Sequence, residues 1–427
     1  MSDEAMGNGQ TDPNSQVKSV TTTQWGKLRF LALAGGLSWM GSTLTTFTVA
    51  LRYKDVYGPI GISAIMLAMI VPTILAAPYG GLLADKISTR VLVPSLMTVM
   101  GLSSLMLALD LGFGWSLVFL AITAFCGTPV GASFNATLPE YCTPDDLPRV
   151  NGLMQTGASL GSMFGPGLAG LLVAATGTYT WPFIIDALSF WILAAVILLL
   201  RINRKPIAHG DEQKMKAMDG LKFVWTVPLI RSVLILVVVL ILSISVLNVG
   251  EVYLVMNILH ANAFIYGLVA ATFALGSTLG AAATAMVKVK DTRHAPAVVI
   301  SVGVLAASLL IIAFAWHWGV VAVVWFIAGI FNSALNAYGI SLIINRTPAE
   351  VRGRVMASVG ALFSLANVVS TGLGGILLGV FGVREVFTVA GVLCVVTWVI
   401  LSPAVLRAAK NETLPAAAEE THIATVE

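Results

Sequence analysis

The sequence predicts an all-α membrane protein whose twelve transmembrane helices form two six-helix bundles related by a pseudo-two-fold axis. Three observations carry that prediction. The 427 residues are 57% hydrophobic and only 11% charged, with a mean hydropathy of +0.89, whereas a soluble domain carries about 25% charged residues. Apolar runs long enough to cross a bilayer, about 20 residues each, recur along the chain. The second half also repeats the first.

The elements follow in order. Residues 1–28 are polar, with Asp3, Glu4, Asn8, Asp12, Asn14 and Lys18. A secretory leader starts basic and turns apolar at once, so this stretch is expected to be a tail. Apolar runs lie near 29–51, 60–84, 91–111, 115–137, 150–175 and 182–201, giving an N-terminal bundle over 29–201. Residues 202–228 form a polar linker that carries Arg204, Lys205, Asp211 and Glu212. Within it, "GLKFVW" (220–225) has the amphipathic pattern of a helix lying along a membrane face. Six further runs, near 231–254, 264–287, 296–315, 320–344, 354–380 and 385–405, make a C-terminal bundle over 229–406. Residues 407–427 are a second polar tail.

Twelve crossings put both termini on one side. All but Arg52, Lys54 and Arg384 of the 24 lysines and arginines then fall on that side. The positive-inside rule makes it the cytoplasmic side. The expected topology is multi-pass, with both termini cytoplasmic.

The repeat is visible in register. "TPDDLPRV" (143–150) precedes the fifth run and "TPAEVRGRV" (347–355) precedes the eleventh. A shift of 205 residues aligns Arg149 with Arg354, Leu160 with Leu365, Gly167 with Gly372, Leu168 with Leu373, Gly170 with Gly375 and Gly177 with Gly382. Small apolar residues match singly by chance. A run of matches at equivalent topological positions argues for a parallel six-span repeat, an architecture of transporters.

Composition also excludes chemistry. Cys126, Cys142 and Cys394 form neither a metal spacing nor a disulfide framework, and the five histidines are scattered. No phosphate-cradling G-x-x-x-x-G-K-[ST] occurs, so ATP is not the expected energy source. No catalytic cluster, cofactor, metal or nucleic-acid partner is expected, and the chain is read as a monomer in the lipid bilayer, not an enzyme. A nutrient importer or facilitator, or a polytopic membrane enzyme or sensor, are the alternatives.

Two motifs carry a resemblance. "GLLADKISTR" (81–90), between the second and third runs, resembles motif A of the major facilitator superfamily through Gly81, Leu83, Ala84, Asp85, Lys86 and Arg90. Ser88 and Thr89 depart from it. "GLMQTGASLGSMFGPGLAG" (152–170), in the fifth run, is similar to the superfamily's antiporter motif C through Gly152, Gly161, Gly165, Pro166 and Gly170, with Ala169 in one glycine position. Glycines at such spacings let helix backbones approach closely, with or without a directional role, and Pro166 favours a bend. The resemblance covers nearly the whole chain and points to the bacterial drug and siderophore exporter branch. It implies export of an amphipathic small molecule in exchange for protons. The fourth run lacks the arginine that many proton-coupled drug exporters carry there.

Three carboxylates lie within or at the ends of apolar runs: Glu251, Asp186 and Asp110. An ionisable group in a bilayer costs about 2.5–3.5 kcal/mol on insertion scales, which makes each a candidate for coupling. Glu251 ranks first because Asn248 precedes it by three residues on one helical face. Asp186 ranks second, with a structural hydrogen-bond role as the alternative, and Asp110 reads as interfacial. By analogy with the superfamily, runs 1, 4, 7 and 10 line the cavity. Its candidate residues are Ser42, Thr45 and Thr46 on the first run, Asn248 on the seventh, and Trp325, Asn332 and Asn336 on the tenth. Gln155 and Asn367 on neighbouring runs complete the set. For the motif A loop, the resemblance implies a gate in which Asp85 accepts from the start of the eleventh run near Gly353 and Arg354, and Arg90 pairs with Glu140 or Arg149 is involved. The alternative is that Lys86 and Arg90 only set topology.

Overall fold

The first helix runs 62 residues, Trp25–Lys86. At 1.5 Å per residue it would extend about 90 Å, three times a bilayer's hydrocarbon core. It does not run straight. Gly58 sits at φ 60°, ψ −159°, and Pro59 follows. A positive φ is free of steric cost only for glycine, and the proline has no N–H to continue the ladder. The chain folds back here, and Thr46 Oγ1 on one arm meets Met69 Sδ on the other at 3.4 Å. The arms, 25–57 and 59–86, are α1 and α2, so the loop expected between the first two runs is a hinge at one residue.

This computed structural model describes residues 22–143, 146–204, 223–286 and 291–411. After α2 come α3 (Thr89–Ala108), α4 (Phe113–Thr137), α5 (Leu147–Thr176) and α6 (Thr180–Leu199). The second half holds α7 (Pro228–Val252), α8 (Ala263–Met286), α9 (His294–Ala313), α10 (Trp318–Asn345), α11 (Ala349–Phe381) and α12 (Val383–Asn411). α7 continues into a π-helical turn, Tyr253–Ile258. Among the described residues eleven helices are long and apolar enough to cross a membrane. Counting the hinged first helix as two gives twelve passes. Gly177 and Gly382, paired by the 205-residue shift, both end their helices at positive φ (66° and 84°), Gly177 in the left-handed helical geometry after α5 and Gly382 with an extended ψ of 165° after α11.

Packing divides the molecule by depth. One apolar core joins both halves on the side away from the chain ends, through Leu44, Ile62, Leu120, Ala169, Leu247 and Val255, and continues within the C-terminal half to Leu229, Ala295, Leu342 and Val405. On the side of the chain ends, the N-terminal half has its own cluster around Leu28, Val93, Val130 and Ile197. The C-terminal half has another around Ile230, Leu234, Ile343 and Val355. The two halves therefore form a V that parts towards the terminal side.

The closed end is held by contacts between halves. Tyr253 Oη donates to the Lys54 carbonyl at 2.9 Å, and the Phe47 and Tyr266 rings stack at 4.6 Å. A Cβ on Gly170 of α5 would fall 2.6 Å from the Ala263 carbonyl oxygen at the start of α8. Its repeat partner Gly375 of α11 likewise backs onto Ser63 and the Pro59 carbonyl at the start of α2. The internal repeat thus produces two equivalent seams.

The surface helix expected over 220–225 lies partly outside the described residues. Residues 223–226 form one helical turn. Its Val224 is buried with Ile230 and Val355, while Trp225 stays exposed. Most of the linker, 205–222, and the tails, 1–21 and 412–427, are outside the described residues too.

Candidate functional site

A cavity of about 410 Å³ lies between α7, α10 and α11. Its polar wall is at mid-helix, where Ser245, Asn248, Asn332, Asn336 and Asn367 converge. Helical spacing explains the convergence: 245 and 248 share a face of α7, and 332 and 336 share one of α10. Towards the terminal side the lining turns apolar, with Val233, Ile343, Met356 and Phe363. No charged side chain lines it among the described residues. Asn336 Nδ2 donates to the Asn332 carbonyl at 2.8 Å. Asn367 Oδ1 accepts from Ser245 Oγ at 3.0 Å and from Thr371 Oγ1 at 3.3 Å.

Glu251 stands one turn beyond Asn248 on α7, towards the closed end. Trp325 Nε1 donates to its Oε1 at 2.6 Å. Trp325 is two turns along α10 from Asn332, and its ring meets Phe273 edge-on at 5.4 Å. Trp325 was expected in the cavity wall and instead holds Glu251. The π-helical turn begins two residues after Glu251, the kind of local helix distortion found at functional positions.

Asp186 lies elsewhere, in the middle of the N-terminal half, and is 1% exposed. Its Oδ2 accepts from Thr45 Oγ1 at 2.7 Å and from Ser104 Oγ at 2.8 Å, tying α1, α3 and α6 together. Oδ1 finds no hydrogen-bond partner among the described residues. It packs against Gly41, where a Cβ would stand 2.5 Å away.

This arrangement takes Thr45 out of the polar stripe expected to line the cavity from α1. Thr45 is consumed by Asp186. Ser42 Oγ and Thr46 Oγ1 donate to the backbone carbonyls of Ser38 (3.1 Å) and Ser42 (2.8 Å). Hydroxyls in an apolar helix satisfy themselves locally in this way. Gln155 is exposed on α5 and is not part of the cavity lining. Asp110 is interfacial: it follows the end of α3 at φ 53° and pairs with Arg52.

The motif A residues meet a different partner from the one expected. Arg204 Nη1 contacts Asp85 Oδ1 at 3.1 Å, and its Nε lies 3.6 Å from Glu140 Oε1. The same nitrogen Nη1 donates to the Ala84 carbonyl at 3.4 Å. The Arg204 side chain is 11% exposed, whereas those of Asp85 and Glu140 are 36% and 44% exposed, so an enclosed guanidinium meets two carboxylates that stay open to their surroundings. Arg90 engages Asn203 Oδ1 through its backbone N–H at 3.4 Å, and Arg149 pairs with Asp146 at 3.4 Å. The expected Arg90–Glu140 pair is thus replaced by Arg204–Glu140. Nothing stands within 4 Å of a Cβ placed on Gly81 or Gly353. The anticipated approach of α2 to α11 at this end is absent because the halves are parted here. Lys86 is the last residue of α2.

Motif C has two faces. Cβ atoms on Gly157 and Gly161 would fall 2.8 Å and 2.7 Å from the carbonyl oxygens of Ala32 and Gly36 on α1. Gly165 continues that seam against Thr43 and Met40. Pro166, Gly167 and Gly170 turn instead to α8: a Cβ on Gly267 would stand 2.7 Å from the Pro166 carbonyl carbon. Gly152 has open space around it.

Arg204, Ser245 and Thr371 escaped the sequence reading. Arg204 falls in a charge-rich linker where any arginine looks solvated. The two hydroxyls are ordinary in apolar helices and gain meaning only from Asn367, which lies one turn from Thr371 on α11 and across the helix contact from Ser245 on α7.

Comparison with known proteins agrees with this architecture. The chain is 24% identical over 357 residues to the uncharacterized MFS-type transporter YfiS of Bacillus subtilis, covering 79% of this chain and 82% of that protein. It is 25% identical over 393 residues to the multidrug efflux pump Tap of Mycolicibacterium fortuitum, covering 86% and 93%. The crystal structure of a peptide transporter, POT, shares the fold with a TM-score of 0.71 at 14% identity, over 90% of this chain and 94% of that one. The profile of the Major Facilitator Superfamily matches residues 31–250 and again 233–427, one match per six-helix half, and the chain belongs to that superfamily of membrane transporters.

Proposed function

We propose that the protein exports an amphipathic small molecule across the bacterial inner membrane in exchange for protons, by alternating access. The observation that carries this reading is the cavity. It has an apolar wall and a floor of carboxamides, is lined by α7, α10 and α11 of the C-terminal half, and lies one turn of α7 from a carboxyl held by an indole. A sugar carrier needs many polar contacts and an organic-phosphate carrier needs a basic cluster, whereas this wall is mostly apolar and uncharged. The name of the relative Tap, a multidrug efflux pump, supports the outward direction.

With both termini cytoplasmic, the described conformation is open to the cytoplasm. The substrate enters there and lodges against Asn248, Asn332, Asn336 and Asn367. Glu251 exchanges the proton, and Trp325 positions its carboxyl. Rocking of the halves about the midplane then parts the α5–α8 and α2–α11 seams and closes the cytoplasmic end. In that closed state Asp85 leaves Arg204 for the N–H groups at the start of α11, where the helix dipole favours an anion.

The test is transport in sealed proteoliposomes with and without an imposed pH gradient. Fluorescent amphipathic compounds should move against their own gradient when protons flow the other way. Glu251→Gln should abolish the uphill movement. Movement indifferent to the gradient would remove the antiport reading.

A further inference from the structure

The way Asn367 is held says which chemistry the cavity accepts. A carboxamide has one acceptor oxygen and one NH2 with two donors. Ser245 Oγ and Thr371 Oγ1 both give their protons to Asn367 Oδ1. The oxygen is spoken for, and the NH2 is the end left to the cavity that Asn367 lines. Apart from the Ser245 hydroxyl, the other polar groups on this floor are carboxamides as well, and the lining carries no charge among the described residues. A charged headgroup would have to shed its water here with no counter-ion in the wall, which is costly. A hydrogen-bond acceptor would meet a waiting donor. Polar groups sit at mid-helix and apolar ones nearer the terminal side, so polarity is graded along the cavity.

We propose that this cavity binds uncharged amphiphiles head-inward, with a carbonyl or ether oxygen of the ligand accepting from Asn367 Nδ2, and that Ser245 and Thr371 set this preference by fixing the carboxamide donor-out. The proposal rests on the reading of the cavity as the substrate site and adds the ligand's headgroup chemistry and orientation. Ser245 and Thr371 are positioning residues that act through Asn367.

Three naphthalene probes that differ only in headgroup test it: acetylnaphthalene, naphthyltrimethylammonium and naphthoate. Binding to the full chain in lipid nanodiscs is measured by equilibrium dialysis against empty nanodiscs. The acetyl probe should bind about tenfold more tightly than either charged probe. Asn367→Asp keeps the acceptor for both hydroxyls but makes the cavity-facing atom an anionic acceptor. Preference should then move to the trimethylammonium probe by about tenfold. Ser245→Ala combined with Thr371→Val frees the carboxamide to turn, and the acetyl preference should shrink to about threefold or less. That double variant keeps the test decisive if Asn367→Asp fails to fold. Equal binding of the three probes to the wild type, or selectivity unmoved in the double variant, overturns the proposal and leaves the cavity reading standing. Acetyl-probe binding that survives a cavity-filling Asn332→Trp overturns the cavity reading itself.

Discussion

Thr45 and Ser104 both spend their hydroxyl protons on one oxygen of Asp186, and the other oxygen stays bare. A buried acceptor that loses a donor costs about 1–3 kcal/mol, so Thr45→Val should lower the melting temperature in detergent. Probe affinity should not change, because Thr45 does not face the cavity. A loss of affinity at unchanged stability would return Thr45 to the substrate path. Arg204 makes the second residue-scale case. Its guanidinium bridges Asp85 and Glu140, and both are N-terminal-half residues at the parted end. Arg204→Ala frees Asp85 for α11, so the parted state should lose population. An Asn336→Cys reporter should then react more slowly with a water-soluble thiol reagent in the Arg204→Ala background, and an unchanged rate would show that Arg204 does not stabilise the open end. Asp186 and Glu251 were legible in the sequence because a carboxylate stands out in an apolar run. Their partners were not. Thr45, Ser104 and Trp325 are commonplace residues, and only the tertiary packing of separate helices brings them to the carboxyls.

Among the elements, α5 shows how one glycine pattern serves two purposes. Gly161 and Gly165 face α1 within their own half, where even one methyl group meets backbone oxygens. Gly170 faces α8 across the closed seam. Overpacking costs about 1–3 kcal/mol at either place, but it falls on different equilibria. Gly161→Ala should lower thermal stability in both conformations alike. Gly170→Ala should penalise only the conformation with the seam shut, leaving the fold stable and shifting the population towards opening on that side. Thiol labelling of Tyr266→Cys in each background separates the two: faster labelling is expected with Gly170→Ala and not with Gly161→Ala. Equal effects would mean that the pattern is a plain packing face. The twelve passes and the glycine register could be read from hydropathy and the 205-residue repeat. The hinge at Gly58 and the π-helical turn after Val252 could not. A glycine–proline pair marks a break without saying how sharp it is, and a π turn leaves no composition signal.

At the scale of the molecule, two halves joined at one end and parted at the other imply that transport requires the joined end to open. The α2–α11 seam offers a direct test. A Cβ on Gly372 would stand 3.8 Å from Leu67 Cδ1, so Leu67→Cys and Gly372→Cys can be bridged by a short bifunctional thiol reagent. The three native cysteines are buried, and serine replacements remove them as a background. Bridging should stop uphill transport almost completely, while the cavity, which opens on the other side, should still bind the acetyl probe with its original affinity. Cleavage of a disulfide-containing bridge by a reductant should restore transport, which separates locking from damage. A bridge joining Gly81→Cys to Gly353→Cys should form slowly, because open space surrounds both positions in the described state. Once formed, it should block probe binding from the terminal side. Undiminished transport with the Leu67–Gly372 seam locked would mean that the halves do not rock there. The V seen here would then be the shape of a resting protein rather than one of two working states.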